Sequence, residues 1–149
     1  MKKLIACAVV GLAMTAMTFA QDKGIGLRFN GGYDNSVELS GQWKKGDAHR
    51  IEADLGFGNN GGFALTGIYH WTWSLENELA EGFSWFVGPG VGFRANSNGV
   101  GAGIVGQIGL EYVLPTVPIQ FGIDTRPGII LGGGGYNDWG AAFSVRYRL

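Results

Sequence analysis

The sequence predicts an all-β protein, eight antiparallel strands in hairpin order closing into an up-and-down barrel. Three observations predict it. Apolar residues recur at every second position rather than at helical spacing, they do so in eight successive runs, and turn-forming clusters separate the runs. Glycine supplies 28 of the 149 residues, a share that suits turns and close strand approaches.

The first twenty residues stand outside the pattern. Met1-Lys2-Lys3 is a short basic start, residues 4–19 are mostly apolar, and Thr18-Phe19-Ala20 ends in a small residue before Gln21-Asp22. That is the form of a secretory signal peptide cleaved after Ala20, which leaves residues 21–149 as one barrel domain. The apolar stretch falls short of the roughly 20 residues a spanning helix needs. The box ending at Cys7 has too little apolar sequence before it for a lipoprotein signal. With Cys7 removed, no disulfide, thiolate metal site or thiol nucleophile is expected. Removing Lys2 and Lys3 from the 11 basic residues leaves 9 against 12 acidic, a net charge of −3, and no nucleic-acid surface is expected.

In the first run Ile25, Leu27 and Phe29 alternate with Gly24, Gly26, Arg28 and Asn30. In the second, Val37, Leu39, Gly41 and Trp43 oppose Glu38, Ser40 and Gln42. The third sets Ile51, Ala53, Leu55 and Phe57 against Arg50, Glu52, Asp54 and Gly56. The fourth sets Phe63, Leu65, Tyr69, Trp71 and Trp73 against Ala64, Thr66, His70 and Thr72. In the fifth, Trp85, Val87, Pro89, Val91 and Phe93 oppose Gly88, Gly90, Gly92 and Arg94. In the sixth, Ala102, Ile104, Ile108, Leu110 and Tyr112 oppose Gly103, Gln107, Gly109 and Glu111. The seventh alternates Ile119, Phe121, Ile123, Thr125, Pro127 and Ile129 with Gln120, Gly122, Asp124, Arg126 and Gly128. The eighth alternates Trp139, Ala141, Phe143, Val145, Tyr147 and Leu149 with Gly140, Ala142, Ser144, Arg146 and Arg148. Turns are expected at residues 33–36, 44–47, 58–62, 96–99, 115–118 and 132–138, and only "SLENELAEG" (74–82) has room for a helical turn.

One stretch suggests something else. "GAGIVG" (101–106) has the spacing of the dinucleotide fingerprint, with Asp124 downstream where a ribose-binding acid would stand. That fingerprint needs a strand before it and a helix after it. Here it sits inside the sixth run with no helix following, so no cofactor is expected.

Alternation does not say which face points inward. A soluble, lipocalin-like periplasmic binding barrel would bury the apolar face, whereas a membrane barrel shows it to lipid. All six arginines (Arg28, Arg50, Arg94, Arg126, Arg146 and Arg148) fall on the polar face, and no lysine does. Arginine suits an enclosed interior because its planar fork pairs carboxylates bidentately and is weakly hydrated. Glu38, Glu52, Asp54, Glu111 and Asp124 share that face, with His70, as a self-neutralising network would require. Glycines on the same face are expected to make room for these long side chains. With the N-terminus in the periplasm, Trp43, Tyr69, Trp71, Trp73, Trp85, Tyr112 and Tyr147 gather at the periplasmic rim. Phe29, Phe57, Phe63, Phe93 and Trp139 gather at the opposite rim, so that both interfaces carry an aromatic girdle. The sequence therefore predicts a transmembrane barrel.

With its signal peptide, its eight runs, "WFVGPGVGF" (85–93) and the final "FSVRYRL" (143–149), the chain resembles the small OmpA/OmpX-type outer-membrane β-barrel proteins. The resemblance implies a monomer in the outer membrane of a Gram-negative bacterium, in contact with outer-membrane lipid and lipopolysaccharide. It also implies recognition of the last strand by the barrel-assembly machinery. The family usually ends in Phe, and here Leu149 stands in that place. No counterpart of the peptidoglycan-binding domain of OmpA is present in the sequence, so tethering to the cell wall is not implied.

Enzymes occur on such barrels, some acting on lipid A with a His and a Ser near the outer leaflet. Here His49 and His70 both lie toward the periplasmic end, without a Ser partner for proton relay. Glu52, Asp54 and His70 have metal-ligand chemistry, but membership in the interior network accounts for them more simply. A filled barrel offers no cleft for paired-carboxylate sugar hydrolysis. The expected protein is non-enzymatic, without metal, and contributes to membrane integrity or surface properties. A narrow pore and a surface-adhesion or ligand-binding barrel are the alternatives. The expected outer loops are short, and "GGGGYND" (132–138) is the only one with the length and an aromatic ring to engage a partner.

Overall fold

The computed structural model describes residues 22–31, 36–58, 61–132 and 136–149. The expected signal peptide lies outside the described residues, as do residues 33–35, 59–60 and 133–135 of the expected turns; of the turn expected at 132–138, Tyr136–Asp138 is instead strand, paired with its neighbour.

Period-two alternation with β-branched and aromatic residues places almost every described segment in a strand. In chain order these are β1 (Lys23–Asn30), β2 (Val37–Lys44), β3 (His49–Phe57), β4 (Phe63–Ser74) and β5 (Phe83–Asn96). They continue as β6 (Gly99–Val113), β7 (Ile119–Thr125), β8 (Gly128–Gly132), β9 (Tyr136–Asp138) and β10 (Ala141–Arg148). Each strand pairs antiparallel with its neighbour in the chain or in the closing hairpin. β1 then meets β10, with Ile25 opposite Tyr147 and Phe29 opposite Phe143, and the sheet closes.

Ten segments make eight staves. On β6, Ile108 faces Thr125 and Val105 faces Gly128, so β7 and β8 are one stave with unbroken register. The partner stave shows the same continuity, with Thr125 opposite Ala141 and Gly128 opposite Asp138. The interruption falls at Arg126 and Pro127. Proline has no N–H to give the ladder, although the Pro127 carbonyl still accepts from Gly106 N at 2.7 Å. The fold is therefore an all-β, eight-stranded antiparallel up-and-down barrel of the transmembrane type. Residues 74–82 form turns rather than a helix, with the Leu75 carbonyl accepting from Leu79 N–H at 2.8 Å and Glu78 N–H at 3.2 Å.

The barrel has a near end, where β1 begins, β10 ends and the turns after β2, β4 and β6 lie. Its far end carries the remaining turns. The outside is apolar, with Leu39, Leu65, Val91, Ile104 and Ile123 all exposed. The inside holds Arg28, Glu52, His70 and Gln120, each with 0% of its surface accessible. This reverses the arrangement of a water-soluble domain. The lumen also takes a few apolar side chains, Ile68, Phe86, Val105 and Ile130.

Several inward glycines have a different reason from the one expected. A Cβ on Gly88 would lie 1.7 Å from the Tyr69 carbonyl oxygen, and one on Gly103 would lie 1.9 Å from that of Ile129. Gly26, Gly90, Gly101 and Gly109 meet neighbouring backbone in the same way. The tight curvature of a small barrel drives adjacent backbones into the space a side chain would need. Gly101 and Gly103 explain "GAGIVG", which lies where β6 runs against β8. Gly122, facing Ser144 Oγ at 2.6 Å and Arg146 Nη1 at 3.6 Å, makes room for polar side chains as expected, and so do Gly56 beside Glu38 and Gly24 beside Gln42.

Gly103→Ala should therefore cost about 1–3 kcal/mol of overpacking strain. Outward Gly67 has nothing within 4 Å of an added Cβ, and Gly67→Ala should change stability by no more than about 0.5 kcal/mol. Urea midpoints of the two variants in detergent micelles provide the comparison.

Candidate functional site in the barrel interior

The interior side chains are positioned by strand parity. On every stave the polar residues sit between outward apolar ones, so each charge is carried into the lumen by the strand that bears it. Once inside, the charges meet across the lumen rather than along the strands.

Arg28 on β1 grips Asp124 on β7 through two nitrogens, Nη2 to Oδ1 at 2.6 Å and Nε to Oδ2 at 3.1 Å. Its Nη1 donates to Glu38 Oε2 at 2.8 Å. Arg126, between β7 and β8, spans the lumen to three acids. Nη1 reaches Glu38 at 3.1 Å, Nη2 reaches Glu52 at 3.3 Å, and Nη2 also donates to Asp54 Oδ2. Arg146 on β10 lies 3.1 Å from Glu52 Oε2 and donates to Ser40 and Ser144. Glu52 accepts further bonds from Gln42 at 2.6 Å and Gln107 at 3.2 Å. A carboxylate with no exposed surface thus has two guanidiniums and two amides around it, the satisfaction a buried charge requires.

A second group lies nearer the near end. Arg50 Nη1 donates to both oxygens of Glu111, at 2.5 and 2.7 Å. Gln120 and Ser84 also donate to Glu111. Arg50 Nε donates to His70 Nδ1 at 3.1 Å, so that nitrogen is the acceptor and the ring proton sits on Nε2, which donates to Gln107 Oε1 at 3.1 Å. The Arg50 guanidinium stacks on the Phe86 ring, 4.5 Å from its centroid.

Of the twelve interior residues expected from sequence, ten lie in these groups: Arg28, Glu38, Arg50, Glu52, Asp54, His70, Glu111, Asp124, Arg126 and Arg146. Arg148 is half-buried at the near mouth, where it donates to Gln120 at 2.8 Å. Arg94 is half-buried at the far mouth, beside Gly56, Ala64 and Asn96. The sequence suggests Asp124 or Glu111 as the partner of Arg126, but Asp124 belongs to Arg28, Glu111 belongs to Arg50, and Arg126 serves the acids of β2 and β3. The amides of Gln42, Gln107 and Gln120 complete the network. Their inward parity was readable, but nothing in the sequence showed that they would bridge charged groups.

Glu52, Asp54 and His70 are not brought together as a ligand set. Both His70 nitrogens are occupied, and no group of three or more potential ligands occurs among the described residues. The aromatic residues expected at the near rim face outward there. Trp73 stacks on Trp85 at 4.5 Å, and Tyr112 stacks on Phe83 at 4.5 Å. Tyr69 meets Trp71 edge-on at 5.5 Å. Trp43 and Tyr147 are exposed on the outer face at the same rim, and Trp139 is exposed toward the far end.

No family model and no curated protein sequence matches the chain. Solved structures do match. The N-terminal β-barrel domain of Pseudomonas aeruginosa OprF aligns with a TM-score of 0.62 at 15% identity, covering 87% of this chain and 98% of that one. A de novo designed transmembrane β-barrel aligns with a TM-score of 0.61 at 14% identity, covering 89% of this chain and all of the designed one. A second designed barrel, TMB2.3, gives 0.58 at 10% identity and covers 89% of this chain and 98% of its own. At these identities the likeness is one of fold.

Removing Arg126 strands Glu38, Glu52 and Asp54 together, so Arg126→Ala should cost roughly 3 kcal/mol or more of barrel stability. Arg126→Lys keeps the charge but cannot span three acids from one ammonium, and its urea midpoint should fall between those of the wild type and the alanine variant.

Proposed function

We propose that the chain is a non-enzymatic integral outer-membrane protein of a Gram-negative bacterium. On this reading it is exported by its first twenty residues and stands in the membrane as a monomer. The observation that carries the proposal is the reversed polarity of one closed wall. A band of exposed Leu, Ile, Val and Phe side chains surrounds an interior of paired arginines and acids. Such a wall is unstable in water and suited to lipid, where every strand hydrogen bond is satisfied by closure. The outward aromatics at the near rim and Trp139 toward the far end serve as interface anchors. A lipocalin-like soluble binder needs an apolar lumen, and this lumen is filled with charge.

On the same reading the interior is closed. Arg126, Arg146 and Arg50 each reach an acid three or four staves away, and these struts occupy the space an ion path would need. The protein then acts through its wall and surface, contributing to membrane integrity or surface properties. Its near end faces the periplasm, its final strand is read by the barrel-assembly machinery, and its girdles meet phospholipid and lipopolysaccharide.

The folded protein should fractionate with the outer membrane and migrate faster unboiled than boiled on a denaturing gel. A freely soluble protein with no shift would refute the membrane reading. In planar bilayers the wild type should show no conductance above background, and steady open-channel steps would refute closure. Orientation is checked by cysteine labelling with an impermeant maleimide. Ser97→Cys at the far end should label on intact cells and Glu78→Cys at the near end only after lysis; the reverse pattern would invert the topology.

A further inference from the structure

The near mouth of the barrel opens on a cavity of about 340 Å³, lined in part by Gln42, Arg50 and Glu111 of the network. Its walls carry Gln42, Arg50, Ser84, Glu111 and Arg148, with Asp22 and Asp47 exposed at the rim; Lys44, expected from sequence to lie off the polar face, ends β2 at an inward position and is exposed there. The charges on these walls are unevenly matched. Glu111 is the one acid facing the cavity from a strand, and it is already satisfied by Arg50, Ser84 and Gln120. The cations are less well satisfied. Arg148 is half-buried, yet its hydrogen bond goes to the neutral Gln120 side chain. Among the described residues Lys44 makes no side-chain hydrogen bond or ion pair. Arg50 has a side chain only 4% exposed, and its Nη2 has no hydrogen-bond partner.

The geometry points to a binding site for a small soluble oxyanion in this vestibule, held by Arg148 and Lys44, with the charge of Arg50 behind them. Charge-assisted bonds from guanidinium to an oxyanion are the strong ones available here. Glu111 and Asp22 lie within charge range of Arg148 and the Arg50 guanidinium repels it, but its hydrogen bond goes to a neutral amide, so a half-buried guanidinium still gains from an oxyanion ligand. A cation would find the wall carboxylate fully engaged, and the rim acids are exposed to screening by salt. The site does not depend on which side of the membrane the mouth faces, so its fate is separate from that of the outer-membrane reading.

The test is titration of the folded full-length barrel with inorganic phosphate in nonionic detergent micelles, followed by the backbone amide NMR shifts of Gly24, Ser84 and Arg148. Saturable shifts confined to the near mouth are expected, with a dissociation constant in the millimolar range. Arg148→Gln keeps a hydrogen-bonding group beside Gln120 and should weaken binding about tenfold, as expected for loss of one charge-assisted contact. Lys44→Gln, at an exposed strand end, should weaken it as well. Arg94→Gln at the opposite mouth should leave it unchanged. Heat-modified migration of each variant verifies folding. The proposal is overturned if the shifts do not saturate, if sodium chloride at equal ionic strength reproduces them, or if both near-mouth variants bind phosphate as the wild type does.

Discussion

Arg126 reaches across the lumen to Glu38, Glu52 and Asp54, and the rest of the barrel depends on charge being neutralised in this way. Five acids lie inside a wall only eight strands around. Isolated, each would carry a desolvation penalty of several kcal/mol. Guanidiniums resolve this because one planar group can serve two or three carboxylates on different strands at once. The neutral amides of Gln42, Gln107 and Gln120 then take some of the lone pairs and protons left over. Because the partners come from opposite staves, the network fixes the cross-section of the barrel as well as its charge.

That constraint explains the outside too. Charged residues occupy the inward position at alternate sites, so the outward positions are left to Leu, Ile, Val, Phe and the rim aromatics. The two surfaces of one sheet therefore face opposite environments, and a one-residue slip of any stave would exchange them. Register is accordingly held through the proline interruption at Pro127. There the hydrogen-bond ladder is broken, but both flanking pairs with β6 keep the same offset.

Backbone curvature is the second requirement. Gly26, Gly88, Gly90, Gly103 and Gly109 stand where the neighbouring strand comes too close for any Cβ. They let the wall bend tightly enough for an arginine on one stave to reach an acid on the far side. The stretch that resembles a nucleotide fingerprint is one of these bends, so its glycines serve strand packing rather than phosphate binding.

The sequence by itself determined the fold class, the eight staves and the side of the wall on which each arginine and each acid of the strands stands, because strand parity is a local property with a period of two; the turn it suggested at 132–138 is strand at Tyr136–Asp138. Ten of the expected interior residues do meet in the lumen, and parity alone placed them there. It could not assign partners. Asp124 lies two residues from Arg126 yet belongs to Arg28, while Arg126 serves acids more than seventy residues away. Only the tertiary structure decided those pairings, the bridging role of the glutamines and the uneven satisfaction of Arg148 and Arg50. Each depends on which staves face one another across the lumen, and that follows from closure of the whole barrel rather than from any single strand.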